Sequence, residues 1–261
     1  MDFSVFEELN KFNHIIFNEV DHTYTNSLTG KIGISGTKFI SKFKEPFDSQ
    51  GMAEKYAKKH KLNVEDVLAM WAKKGLISTI KGSAVHKYAE LKYANKLHVY
   101  DSTEAVNAFG EDIIKDNYDK CISQFENFYN DSKTSLIPVK SEVVVGDDEL
   151  GIYGMTDQLF YSKKLNGLVI EDHKTNKEIH RFSIYKKRML SPISHLHECE
   201  FNTYSLQLNL YKFLIEKNTN LSIKGLFIIH MSETKENYEF IKIGDMRREI
   251  NLMINHHIKN N

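Results

Sequence analysis

Residues 154–175 read GMTDQLFYSKKLNGLVIEDHKT, two strand-like apolar runs that carry Asp157 and Asp172, with Lys174 two positions beyond the second acid. Residues i and i+2 of a strand share a face, so Asp172 and Lys174 emerge side by side. The polar Ser162–Gly167 stretch, closed by Asn-Gly, reads as the turn between the runs. A turn centred between Lys164 and Leu165 sets Asp157 directly across the ladder from Asp172. Two carboxylates and one lysine then converge on a single patch, which can hold a divalent cation and activate a water beside it. An Asp-x-Lys triplet by itself is common on solvated strand faces. Like charges across a ladder cost stability, however, so a fold keeps this pair only with a compensating cation or a function. The register carries the expectation, because a slip of one residue sends Asp157 to the other face.

Periodicity and breakers outline the elements that must position these groups. Residues 14–34 read as short strands with a turn. Thr37 to Phe43 reads as a first helix, capped by Ser35 or Thr37 and broken by Pro46. Gln50–His60 and Val64–Lys74 read as two amphipathic helices, the second with Met70 and Trp71 facing inward, and Ser78–Lys96 as a longer one. Ser102–Asn130 contributes one or two more, ending in an aromatic face of Phe125, Phe128 and Tyr129. Strands follow at Leu136–Val145, Ile152–Tyr161 and Leu168–Lys174, then a helix at Phe201–Lys217. Strands at Ile223–Met231 and Tyr238–Ile243 and a closing helix at Met246–Ile258 complete the chain. Helix, three antiparallel strands, helix, strand is an α/β core with a mixed sheet. Residues 1–75 read as an N-terminal strand and helix elaboration packed on a core formed by 76–261.

The chain has 261 residues, 41% hydrophobic and 27% charged, as a soluble globular protein does. Its 35 basic and 35 acidic residues cancel, so a nucleic-acid surface would have to be a local basic patch. Only four of the basic residues are arginine (181, 188, 247 and 248), a bias that fits an AT-rich genome. Cys121 and Cys199 lack CxxC spacing, which excludes an iron–sulfur cluster or zinc knuckle built on them and fits a reducing, intracellular setting. The acidic N-terminal stretch has no long apolar core and does not read as a signal or transit peptide. No run approaches the roughly 18 apolar residues that span a membrane.

Four pieces occur in an order that resembles the PD-(D/E)XK nuclease superfamily in its RecB-like branch. They are Gly82-Ser83-Ala84-Val85-His86 with Glu90, Gly154-Met155-Thr156-Asp157, Ile170-Glu171-Asp172-His173-Lys174-Thr175, and Gln207-Leu208-Asn209-Leu210-Tyr211. Upstream, Ser35-Gly36-Thr37, Phe43, Pro46-Phe47-Asp48 and Trp71 are similar to phage-encoded exonucleases and to the mitochondrial genome maintenance exonuclease family. The resemblance implies a restriction-endonuclease-like core, a mixed central sheet flanked by helices, with the N-terminal residues as a mostly helical addition.

The resemblance also implies roles. His86, Asp157 and Asp172 become metal ligands, joined by the backbone carbonyl of His173. One imidazole among hard oxygens suits Mg²⁺ or Mn²⁺. Glu90, one helical turn from His86, serves as a water-mediated ligand, a partner orienting the histidine, or a salt-bridge residue. Lys174 orients the attacking water and stabilises the transition state. Gln207 and Tyr211, four apart on one helix, hold a phosphate or the lysine. Glu171 alternates to the opposite face and reads as structural. Lys186, Lys187 and Arg188 form a basic run that could grip a nucleic-acid backbone, with Tyr185 available for stacking. His195, His197 and Cys199 read as a loop cluster rather than a second metal site. Lys38, Lys42, Lys44, Lys55, Lys58 and Lys59, interleaved with Phe39, Phe43, Phe47 and Tyr56, suit a flexible single strand, although aromatics at such spacing also serve as plain core. The expected activity is a metal-dependent DNA exonuclease working on single-stranded or free-ended DNA in recombination, repair or degradation, alongside replication or recombination proteins in a bacterial or phage-infected cytoplasm. The same core supports a structure-specific endonuclease, and an inactivated core would leave a DNA-binding module.

Overall fold

The computed structural model describes residues 4–99 and 111–260. In chain order these form helix α1 (Ser4–Leu9), strands β1 (Ile15–Asn18), β2 (Thr23–Asn26) and β3 (Ile32–Ser35), and helices α2 (Gly36–Ser41), α3 (Ser49–His60), α4 (Val64–Tyr93) and α5 (Glu111–Ser132). Strands β4 (Leu136–Asp147), β5 (Ile152–Ser162) and β6 (Gly167–Lys174) come next, then helix α6 (Glu200–Asn218), strands β7 (Ile223–His230) and β8 (Glu239–Ile243), and helix α7 (Arg247–Asn260). The eight strands make one mixed sheet in the order β1-β2-β3-β5-β6-β7-β8, with β4 on β5. This is the expected α/β core, a central mixed sheet flanked by helices. No helix among the described residues is long and apolar enough to cross a membrane.

Strand alternation sorts the side chains of the sheet into two layers. Val143, Val145, Leu159, Leu168, Ile170, Leu226 and Ile228 join the larger core with α2, α6 and α7. Phe160, Val169, Phe227 and Ile229 face the other way, onto Ala84, Val85 and Ala89 of α4 and Phe125 and Phe128 of α5. Two aromatic rings lie where only glycine leaves room. A Cβ at Gly154 would sit 2.2 Å from the Tyr211 ring, and one at Gly33 would sit 2.1 Å from that of Tyr153. The glycine of the Gly-x-x-Asp piece is thus required by the tyrosine of the Gln-x-x-x-Tyr piece.

The pairing of β5 with β6 has the expected register: Gln158 faces Glu171, Leu159 faces Ile170 and Phe160 faces Val169. On this edge of β5, β6 covers 158–162 and β3 covers only 152 and 153. Residues 154–157 therefore face a gap in the sheet, and Asp157 stands at its border.

Several expectations change. Val64–Lys74 and Ser78–Lys96 are one continuous helix, α4, ending at Tyr93. Gly75 lacks a companion proline or cap, and a lone glycine costs a long helix only about 1 kcal/mol. Gly82 and Ser83 lie inside this helix. Met70 points to solvent, while Trp71 packs on a small cluster with Ala53, Ala57 and Val67 that joins α3 to the first half of α4. Phe39 and Phe43 are buried in the main core, which removes them from any stacking surface. The part of the Ser102–Asn130 reading before residue 111 lies outside the described residues.

An acid locks the end of β4 to the end of α6. Asp147 accepts hydrogen bonds from the Leu150 amide (2.9 Å) and Asn218 Nδ2 (3.1 Å) and ion-pairs with Lys217. Burial pushes its pKa up, but Lys217 and these donors outweigh burial and leave it below the ordinary carboxylate value. A carboxyl depressed in the folded state contributes stability above its unfolded pKa of roughly 4 and loses it as pH falls through the folded value. Asp147→Asn should therefore cost about 1–2 kcal/mol at pH 7, and thermal melts should show its deficit shrinking toward zero as the buffer is taken below the carboxylate range.

Candidate active site

At the mouth of the sheet gap the backbone N–H of His173 donates to Asp157 Oδ2 at 2.7 Å. A side-chain carboxylate here takes up a strand amide where the β5–β6 ladder has stopped. The same Oδ2 lies 3.4 Å from His86 Nδ1, while His86 Nε2 is 3.1 Å from the His173 carbonyl oxygen. Asp157, His86 and the His173 carbonyl thus meet, with α4 supplying the imidazole from one face of the sheet. Asp172 and Lys174 leave β6 together on the other face and form an ion pair. The ring of Tyr204 on α6 covers the Lys174 ammonium at 4.9 Å from its centroid.

The remaining expected residues distribute as follows. Glu90 pairs with Lys87 at 2.7 Å on the same helix. Gln207 Nε2 donates to Tyr211 Oη at 3.1 Å, and the Tyr211 ring is buried against Gly154 and Gly36. Glu171 is fully buried among the α4 and α5 aromatics, 2.6 Å from His173 Nε2 and within 3.4 Å of the Tyr93 hydroxyl. The basic run is partly engaged: Lys187 lies 3.5 Å from Glu45, and Arg188 donates to the His195 carbonyl at 2.7 Å. His195 faces Glu249 at 3.0 Å while His197 packs on Phe182, so these histidines serve separate partners.

Two residues escaped the sequence reading. Tyr204 lies one helical turn before Gln207, a spacing that marks a shared face with Gln207 and Tyr211 but does not tell which tyrosine reaches the lysine. Glu142 lies on β4 between Ser141, which faces Gln158, and Val143, which faces Thr156, so it stands opposite Asp157. Its φ of 49° is in the left-handed region, which a glutamate inside a strand rarely adopts. No sequence signal announces that conformation.

The electrostatics separate the acids. Burial pushes the Asp157 carboxyl up, but His86 and then Lys174 and His173 overcome it and hold the group well below the usual range. Burial and the neighbouring Asp157 charge raise Asp172 against the pull of Lys174. Burial, then Asp157, pushes Glu142 up to about 8, and burial raises Glu171 as well. The His86 pKa, lowered by burial, is lifted more strongly by Asp157 and reaches about 8. Lys174 is raised by Asp172 and Asp157 despite its burial. Crowded carboxyls with pKa values driven apart mark a site short of positive charge. Glu171 Oε2 and His173 Nε2 are both buried without an aligned hydrogen bond. The donor set and this charge deficit fit a divalent cation.

Beyond Tyr204 lies a small cavity of about 230 Å³, lined also by Lys44, Cys199, Glu200 and Thr203. Cys199 and Glu200 line in addition a larger cavity of about 530 Å³, where Phe47, Phe182 and Tyr185 are exposed.

No protein-family model and no curated protein matches this sequence. Among solved structures, a protein of Eubacterium rectale provisionally named an exonuclease is similar over 70% of this chain, at 15% identity and a TM-score of 0.46. The chain spans 65% of that protein's length. A second, SSO0001, is similar over 73% of this chain and 87% of its own, at 10% identity and a TM-score of 0.30.

Glu142 combines backbone strain with an acid facing an acid. Glycine relieves a left-handed φ at no steric cost, a gain of about 1 kcal/mol. Glu142→Gly should raise the melting temperature of the metal-free protein in EDTA. A lower melting temperature would show that the carboxyl stabilises the strand it sits on.

Proposed function

We propose that the protein is a metal-dependent deoxyribonuclease that hydrolyses phosphodiester bonds, acting as an exonuclease on single-stranded or free-ended DNA. The observation that carries this reading is the meeting of Asp157, His86 and the His173 carbonyl with the Asp172–Lys174 pair at one gap in the sheet. Asp157, Asp172, His86 and that carbonyl would hold Mg²⁺ or Mn²⁺, while Glu90, paired with Lys87 one helical turn from His86, would act at most through water. Such a cation supplies an acidified water and neutralises charge on the phosphate. Lys174, fixed between Asp172 and the Tyr204 ring, orients the water and stabilises the negative charge on the phosphoryl oxygens of the transition state. Tyr211 sets the backbone at Gly154, and Gln207 holds the Tyr211 hydroxyl, so both act by positioning the strand that carries Asp157.

Two features support a DNA strand as the partner. The α3–α4 hairpin carries Lys55, Lys58, Lys59, Lys61, Lys73 and Lys74 against Glu54, Glu65 and Asp66, a local basic excess on a neutral chain. Phe47, Phe182 and Tyr185 offer exposed ring faces in the larger cavity. Glu45, Asp48, Glu198 and Glu200 also line that cavity and outnumber its lysines, which suits an unpaired base better than a phosphate.

End-labelled linear single strands, blunt duplex and circular single strands, each incubated with Mg²⁺, Mn²⁺ or EDTA, test the reading. Linear single strands should be degraded fastest, circles spared, and EDTA should stop the reaction. Asp157→Ala and Asp172→Ala should each retain less than about a tenth of the turnover, since a lost ligand removes several kcal/mol of transition-state stabilisation. Lys174→Ala should lose kcat while DNA binding stays close to wild type. Rapid cutting of circles would move the protein to the endonucleases, and no metal-stimulated cleavage of any substrate would leave a DNA-binding module.

A further inference from the structure

The imidazole of His173 has no part in the reading above, where only its carbonyl serves. Its surroundings argue that it has one. His173 is almost fully buried on the α4 side of the sheet, its ring near-parallel to Tyr93 at 6.4 Å and edge-on to Phe125 at 5.6 Å. Purely apolar packing would serve a hydrophobic residue at this position equally well. Instead the chain buries an imidazole with a carboxylate: Glu171 Oε1 lies 2.6 Å from His173 Nε2. A carboxylate that accepts from one ring nitrogen leaves the lone pair on the other free for an ion. That other nitrogen, Nδ1, faces Asp157 Oδ2 at 3.9 Å. One ligand atom each from His86, Asp157 and His173 lie within 4.8 Å of one another. This separation lets a single ion touch all three.

We infer that the His173 imidazole is itself a metal ligand, held by Glu171, so that the site presents two imidazoles beside the carboxylates of the proposed function. The inference rests on the metal-dependent reading and deepens it by naming the class of ion. Histidine ligands that donate their second ring N–H to a carboxylate are the rule in metal sites, and the partner raises the basicity of the ligand. Glu171 is thereby a positioning residue, and the unpartnered His173 Nε2 beside it has a reason: the pair completes its contact when the ring turns to the ion. Two nitrogens in the donor set shift preference from Mg²⁺ toward first-row transition ions, with Mn²⁺ the weakest-bound of these and Co²⁺ tighter.

The test reads binding apart from cleavage. Mn²⁺ is titrated calorimetrically into the full-length protein without DNA, and the bound ion is examined by pulsed electron paramagnetic resonance, which counts directly coordinated ¹⁴N nuclei. Wild type should show two coordinated nitrogens and bind Mn²⁺ at least about tenfold more tightly than Mg²⁺. His173→Gln keeps the backbone carbonyl but should show one nitrogen and a Kd raised about a hundredfold. Glu171→Gln keeps the imidazole and should retain two nitrogens with about tenfold weaker binding, which covers the case in which His173→Gln fails to fold. A wild-type signal from one nitrogen, or an unchanged nitrogen count and Kd in a folded His173→Gln, would overturn the inference. Two-nitrogen binding in a protein that cuts no DNA would keep the inference and drop the nuclease reading. Cleavage supported by a one-nitrogen site would do the reverse.

Discussion

The hydrogen bond from the His173 amide to the Asp157 carboxylate is the contact on which the site depends. Strands β5 and β6 pair regularly as far as Gln158 and Glu171 and then part, while β3 reaches β5 only at its far end. Parting strands expose amides and carbonyls that need partners in a buried setting. Asp157 satisfies one of these and, in doing so, brings a negative charge to the gap. Its charge in turn draws His86 from α4. The opening in the sheet and the polar centre within it are thus two consequences of one break in the ladder.

The sheet divides the work between its faces. On one, α6 lays Tyr204 over Lys174, and the Tyr211 ring packs onto Gly154 at a distance no side chain there would allow. On the other, α4 and α5 bury His173 and Glu171 among aromatics and present His86. Alternation along β6 delivers both sets from neighbouring residues, since Asp172 and Lys174 point one way and Glu171 and His173 the other. Four consecutive residues therefore reach two chemically different environments, one holding an ion-paired ammonium and one an imidazole among aromatic rings.

Glu142, Asp157, Glu171 and Asp172 crowd this small volume, and the burial that raises three of their pKa values is unfavourable to folding. The left-handed φ at Glu142 adds strain at the same place. Costs concentrated at one point of a well-packed core are the usual mark of a site whose charge is balanced by something other than the protein.

Much of this was legible in the sequence by itself. Local signals determined the strands and helices of residues 136–258, the Ser162–Gly167 turn and, through it, the register that puts Asp157 against the Asp172 end of β6. Period-two alternation and turn chemistry act over a few residues, which is why they can be read without a structure. The break expected within α4 does not occur, because a single glycine is a weak stop signal, and the burial of Phe39 and Phe43 depends on what packs on them, which no local pattern shows. Only the tertiary structure decided that Glu142 faces Asp157, that Tyr204 and not Tyr211 covers Lys174, and that His173 lies between Glu171 and Asp157. Each of these contacts joins residues whose meeting depends on how far strands run before they part and how helices rotate against the sheet, and no local pattern in the chain encodes either.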